Sequence, residues 1–213
     1  IYKSQQDYTY PYWFPWIMSG MPSIHSFINV SDYYYLNYIS KLFYNFGMPW
    51  FWNTIFHFLM GSVGMFFLLD EIRLNKYSKV IGSISFALIP YITTMVVFAH
   101  GSQMMASMYI PWIVFLLIRL FNDTNIFNVC LLSIFIGLQI QRAHVQIAYY
   151  TWMVIGIYMV FIIIKNRKLV KDHIYKFYFL FLSLLIGTGI ASNIIFPIVN
   201  YSSDSIRNAN LGA

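Results

Sequence analysis

The chain has 213 residues, 59% hydrophobic and 9% charged, with a net charge of +6 and a mean hydropathy of +0.62. Soluble domains carry about 25% charged residues, so this chain lacks the polar surface to cover itself in water, and hydrocarbon is the solvent left to it. The positive balance lies mostly in two short loops between apolar segments, where it is an orientation signal, and nucleic acid is not expected as a partner.

The chain opens on an aromatic, polar stretch with Ile1 in first place, and nothing in it resembles a cleavable signal peptide. It is expected to be a fragment of a longer protein. Residues 1–48 are expected to form an external segment. Within it Ser31 can cap a helix whose apolar positions Tyr35, Ile39, Leu42, Phe43 and Phe46 recur at helical spacing, with Gly47 as the stop. Lys41 on its polar side and Trp50 and Trp52 just beyond mark an interfacial helix lying on the outer leaflet.

Residues 49–199 then hold six apolar segments free of charge, expected as transmembrane helices at about 50–69, 80–99, 104–118, 126–140, 145–164 and 177–199. The third and fourth are short for a perpendicular span and are expected in thinned or partly wet regions. Cys130, the single cysteine, sits in the fourth as a small packing residue. Gly187, Gly189 and Ser192 give the sixth a small-residue face that permits close helix packing. Asn193 and Pro197 follow, and 200–213 is expected as a second external segment.

Basic residues alternate between the loops. Loops one, three and five hold Arg73, Lys76, Lys79, Arg119, Lys165, Arg167, Lys168, Lys171 and Lys176, whereas loops two and four hold only Arg142. The excess of positive charge places the odd loops in the cytoplasm and both termini outside. The external rim then collects Asp7, His25, Asp32, His100, Gln103, Arg142, His144, Gln146, Asp204 and Arg207. Short hairpins in a bilayer are cheaper with apolar or small polar residues, so His100-Gly-Ser-Gln103 in one and Gln141-Arg-Ala-His-Val-Gln146 in the other call for a reason.

Arg142 offers a planar fork for phosphate, His100 and His144 can donate hydrogen bonds or transfer protons, and Gln103 and Gln146 suit hydroxyl-rich ligands. Together they fit a phosphate-bearing lipid headgroup that carries a sugar. The plainer alternative has Arg142 reaching ordinary anionic headgroups while the histidines cap helices. No cofactor is expected; a divalent metal on His100, His144 and an aspartate is the alternative, but the histidines lack helical i, i+4 spacing. Asp204 and Arg207 are spaced to pair on one helical turn.

These rim segments carry a resemblance. Tyr10-Pro11-Tyr12-Trp13-Phe14-Pro15-Trp16, running on to Gly20-Met21-Pro22, resembles the signature of YfhO-like bacterial membrane proteins, relatives of the GT-C class of polytopic glycosyltransferases. Ala99-His100-Gly101 leading to Pro111-Trp112, the run from His144 to Tyr150, and Tyr201-Ser202-Ser203-Asp204-Ser205-Ile206-Arg207 are similar to further segments of that family, in matching order. The resemblance implies a GT-C-like membrane fold in a bacterial plasma membrane. It also implies transfer of a sugar from a polyprenyl-phosphate-linked donor to a lipid or cell-wall acceptor on the outer side. The family is much longer, and the carboxylate expected as general base falls in an acidic motif upstream of Ile1, leaving Asp7 as the nearby substitute.

The reading that follows is an all-α, six-span membrane fragment whose parent is a membrane glycosyltransferase. Arg142 and His144 would bind donor phosphate, with Gln146, His100, Gln103 and Arg207 around them. A transporter or lipid flippase is the main competitor and typically shows polar or broken helices near the midplane; a non-catalytic scaffold subunit is the third reading. Sidedness is checked in a Cys130→Ser background. His144→Cys is expected to react with an impermeant maleimide on intact cells, and Lys168→Cys only after permeabilisation; the opposite labelling reverses the topology.

Overall fold

The computed structural model describes residues 13–14, 21–22, 34–49, 51–98, 100–165 and 170–204. Two compact units are distinguished, one of residues 34–191 and one of residues 1–33 with 192–213. In the smaller unit the strands β1 (Trp13–Phe14) and β2 (Met21–Pro22) pair antiparallel, Trp13 opposite Pro22. The helix α10 (Ser192–Asp204) of this unit carries Pro197 in its interior.

The larger unit is wholly helical among its described residues: α1 (Asn37–Asn45), α2 (Trp52–Glu71), α3 (Lys76–Ala87), α4 (Pro90–Val97), α5 (Gly101–Ser107), α6 (Ile110–Asn122), α7 (Ile126–Gln141), α8 (Val145–Lys165) and α9 (Val170–Ile190). Four stretches among the described residues are long and apolar enough to cross a membrane: α2, α3 with α4, α5 with α6, and α8; α9 with α10 makes a fifth if they form one span. The chain is an all-α, polytopic membrane-embedded protein. Apolar side chains such as Leu59, Val63, Ile81, Ile157 and Phe161 are exposed along these helices, as a hydrocarbon solvent permits and water does not.

Three expected spans differ from the sequence reading. The second is broken at Leu88 and Ile89, because Pro90 supplies no N–H for the helix to continue and instead opens α4 as its first residue. The third is longer than expected, Gly101–Asn122, and turns at Met108 and Tyr109 ahead of Pro111. The sixth divides at Ala191. Only the fourth remains short, α7 having 16 residues, about 24 Å at 1.5 Å per residue.

The α5–α6 span forms the centre of the unit: 72% of it is buried, against 17–22% in the other three. Tyr109 at the turn and Ile113, Leu116, Leu117 and Leu120 on one face of α6 are buried in one core with Val129, Leu132 and Ile136 of α7, Ile155 of α8 and Leu180 of α9. Glycines let two helix pairs approach. A Cβ on Gly187 would lie 2.8 Å from Ile136 and 2.9 Å from the Ser133 carbonyl, and one on Gly137 would lie 2.7 Å from Ile190. Gly61 and Gly64 similarly admit Met108 and Trp112, and Trp112 Nε1 donates to the Met60 carbonyl at 2.8 Å. Gly189, counted in the packing face from sequence, instead points to open space.

The odd loops meet at one end of this unit. Lys79 pairs with Asp70, and Arg119 lies 3.8 Å from Glu71. Asn122 donates to Glu71 at 2.8 Å, and Lys176 reaches the Phe121 carbonyl at 2.6 Å. Asn75 and Asn125 cap α3 and α7, each accepting a backbone N–H at 2.9 Å. At the opposite end the Ser102 hydroxyl donates to the Arg142 carbonyl and joins the two even loops. The grouping of loops read from the charge pattern is therefore present in the fold.

The helix expected from Ser31 begins at Asn37, with Leu36 before it and no side-chain cap; Ser31 itself lies outside the described residues. Gly47 at φ 72° does provide the left-handed stop, and no residue of α1 is buried. Cys130 is exposed rather than packed. The close glycine contacts predict that Gly187→Ala and Gly137→Ala each lower thermal stability in detergent by about 1–3 kcal/mol, whereas Gly189→Ala does not lower it.

Candidate functional site

The end of α7 is built to turn a basic residue inward. Arg142 caps the helix, and Ala143 adopts φ 55°, a left-handed conformation that non-glycine residues seldom take. This reverses the chain before α8 and leaves Arg142 only 8% exposed. Its guanidinium lies over the Tyr34 ring, 4.5 Å from the centroid. Its Nε is buried and has no hydrogen-bond partner among the described residues. Among the described residues the ion pairs are those of Asp70 and Glu71 in the odd-loop half, and none reaches Arg142.

Around this cation lies a buried polar cluster. The Tyr34 hydroxyl bonds to His57 Nε2 at 2.7 Å and to the Tyr109 hydroxyl. His57 Nδ1 donates to the Asn53 carbonyl at 2.7 Å. Burial pushes the Tyr34 hydroxyl up to about 12, against the smaller opposing effects of Tyr109 and Arg142, so it stays neutral beside the cation. Burial also lowers the Arg142 pKa, yet an arginine keeps its proton throughout the physiological range. Among the described residues, then, no carboxylate pairs with this positive charge at the even-loop rim.

One turn deeper, Gln139 Nε2 donates to the Ala106 carbonyl at 3.1 Å and to the Thr151 hydroxyl at 2.9 Å, while its Oε1 is buried with no partner among the described residues. Gln141 accepts from the Tyr35 N–H at 3.2 Å and donates to the Ile190 carbonyl at 3.1 Å. These bonds fix the inner end of the rim against α5, α8 and α9.

The fold brings together some of the residues chosen from sequence and separates others. His144 follows Arg142 by two residues in the same loop; burial lowers its pKa, a backbone hydrogen bond opposes this, and His100 adds a smaller lowering. Among the described residues the Gln103 side chain reaches Tyr91, at 3.4 Å, and not the cluster. Gln146 is exposed and spends its amide on Tyr150 at 2.7 Å, so it does not join the cluster. Asp7, His25, Asp32 and Arg207 lie outside the described residues, as does the side chain of Asp204. No three His, Cys, Asp or Glu side chains group into a metal site among the described residues.

Tyr34, His57, Tyr109 and Gln139 were not identified as site residues from sequence. Polar side chains inside apolar segments were the available signal for His57 and Gln139, since hydrocarbon tolerates them only with internal partners. Tyr34 and Tyr109 sit among many aromatics and carry no such mark. No protein-family model, curated protein or solved structure matches the chain.

A lowered His144 pKa means that the folded state favours neutral imidazole. Its stability contribution is present above the unfolded histidine value of about 6.5 and is lost as pH falls through the folded value. Melting temperature in detergent is expected to drop more between pH 7.5 and 5 for the wild type than for His144→Gln; equal drops remove His144 as a contributor.

Proposed function

We propose that this chain forms the donor-binding part of a membrane glycosyltransferase that takes a sugar from a polyprenyl-phosphate-linked carrier. The supporting observation is the buried Arg142 guanidinium at the even-loop end of a hydrocarbon-facing bundle, with no carboxylate paired to it among the described residues. A phosphate held at the membrane boundary supplies the missing negative charge while its hydrocarbon tail remains among lipid-facing helices. The sugar-transfer chemistry in this proposal comes from the ordered segments that resemble those of YfhO-like proteins.

In that reaction an acceptor hydroxyl oxygen attacks the anomeric carbon of the sugar. The bond from that carbon to the phosphate oxygen breaks, and the electron pair stays on the phosphate. A carboxylate takes the hydroxyl proton. Arg142 stabilises the charge that grows on the departing phosphate, and its effect is largest where water is excluded. Neutral His144 can donate or accept a hydrogen bond at the same rim. The acceptor is a lipid or a cell-envelope component on the outer face of a bacterial plasma membrane.

A lipid or polymer transporter is the second reading, favoured by the helix breaks at Leu88–Ile89 and at Met108–Tyr109. The two separate on the parent protein supplied with a lipid-linked sugar. Transfer is expected, and Arg142→Ala is expected to reduce it at least 100-fold, the scale of removing a charged donor from a transition state. His144→Ala is expected to reduce it about 10-fold, a hydrogen bond's worth. Movement of the lipid across the bilayer without transfer supports the transporter, and full activity in both variants ends the site assignment.

A further inference from the structure

Arg142 rests on residues that lie outside the rim, and their hydrogen bonds run in one direction. The Asn53 carbonyl can only accept, so His57 Nδ1, 2.7 Å away, carries the ring proton. His57 Nε2 is then the acceptor, and the Tyr34 hydroxyl at 2.7 Å must donate to it. A hydroxyl has a single proton, so the Tyr34 oxygen accepts from Tyr109. One backbone carbonyl thus fixes a tautomer and two hydroxyl rotors in sequence.

The ring held by this chain is the one beneath the guanidinium, 4.5 Å from its centroid. The next residue, Tyr35, gives its N–H to Gln141 at 3.2 Å, so the backbone carrying Tyr34 is also tied to the residue just before Arg142. A guanidinium seated by its face on an aromatic ring keeps all five N–H bonds in its own plane, pointing away from the contact. In such a seating, face and edge serve different partners. The Nε–H is buried and without an acceptor among the described residues, which fits an edge held for a ligand.

We infer that Tyr34 and His57 are positioning residues for Arg142, holding its face on the Tyr34 ring so that its N–H edge meets the phosphate oxygens of a lipid headgroup. The inference rests on the donor-binding role given to Arg142 above and adds the residues that make that role geometrically specific. Neither tyrosine nor histidine touches the phosphate. Their contribution is to keep one orientation of a side chain that would otherwise sample many.

The test uses the full chain in detergent micelles with arginine labelled in nitrogen-15. Arg142 Nε–H is expected to give an ordered, slowly exchanging resonance, assigned by its loss in Arg142→Lys. Dihexanoyl phosphatidylglycerol is expected to bind and shift it; inorganic phosphate is the second probe. Tyr34→Phe keeps the ring but not the hydroxyl, and His57→Leu ends the chain; each is expected to weaken lipid binding about 3- to 10-fold and broaden the resonance. His57→Gln, whose amide can still accept from Tyr34, is expected to recover part of both. Wild-type affinity and an ordered resonance in Tyr34→Phe and His57→Leu overturn the proposal. So does a rapidly averaged resonance in the wild type, which decides the matter even if the variants do not fold. Binding of inorganic phosphate but not lipid overturns the headgroup assignment. A wild type that binds neither probe while the resonance still depends on Tyr34 keeps the positioning role and removes the donor-binding reading.

Discussion

Moving a cation out of water costs several kcal/mol of hydration even after the protein relaxes, and Arg142 keeps only 8% of its surface exposed. Nothing in the bundle is harder to account for, and much of the even-loop end is organised around it. An aromatic face returns part of that free energy, about 2 kcal/mol where the contact is desolvated. A carboxylate would return more but would also cancel the charge. Among the described residues the carboxylates that form ion pairs, Asp70 and Glu71, stand at the other end. The charge is thus kept, and a kept charge in a dry place is the usual device for holding an anion.

The position of that charge follows from packing. The central span puts Tyr109 at its turn, between α5 and the core face of α6, where it is fully buried. Close approach of α2 to this span, allowed by Gly61 and Gly64, brings His57 within reach through Tyr34. On the other side the Gly137–Gly187 contact seats α7 against α9, and α7 delivers Arg142 from its last turn. Two glycine seams therefore set the distances of a polar cluster that contains no glycine. In hydrocarbon this division is natural, since apolar packing is won by close contact and polar groups must find one another inside the protein.

Much of this could be read from the amino-acid order. The apolar segments and their charged punctuation give the helices and the grouping of the loops, because a hydrocarbon solvent leaves so few alternatives for the backbone. Arg142 and His144 stand out for the same reason: a charged residue in a four-residue hairpin is conspicuous. What was not legible depends on three-dimensional partners. Pro90 breaks its span while Pro197 lies inside a helix, and the sequence marks both alike. Gly189 and Gly187 differ only in which side of α9 they occupy. Tyr34 is one of 18 tyrosines, and only its neighbours distinguish it. Gln146 stands in a rim hairpin and reads as a ligand group, yet it is exposed and bonded to Tyr150, while the buried glutamine is Gln139, inside an apolar segment.

The two ends of the bundle are held by different forces. At the odd-loop end the links are ion pairs and capped helix starts with at least one exposed partner, such as Lys79 with Asp70, together with the part-buried bond from Lys176 to the Phe121 carbonyl. Pairs of that kind contribute little and weaken further with salt. At the even-loop end the links are buried hydrogen bonds, among them Gln139 to Thr151 and Tyr34 to His57. Their strength comes from a low local dielectric, and breaking one leaves a polar group stranded in an apolar surrounding. The bonds least sensitive to salt therefore lie around Arg142. Bonds that only kept helices together would serve equally at either end; gathered here, they hold in place the aromatic ring against which Arg142 lies.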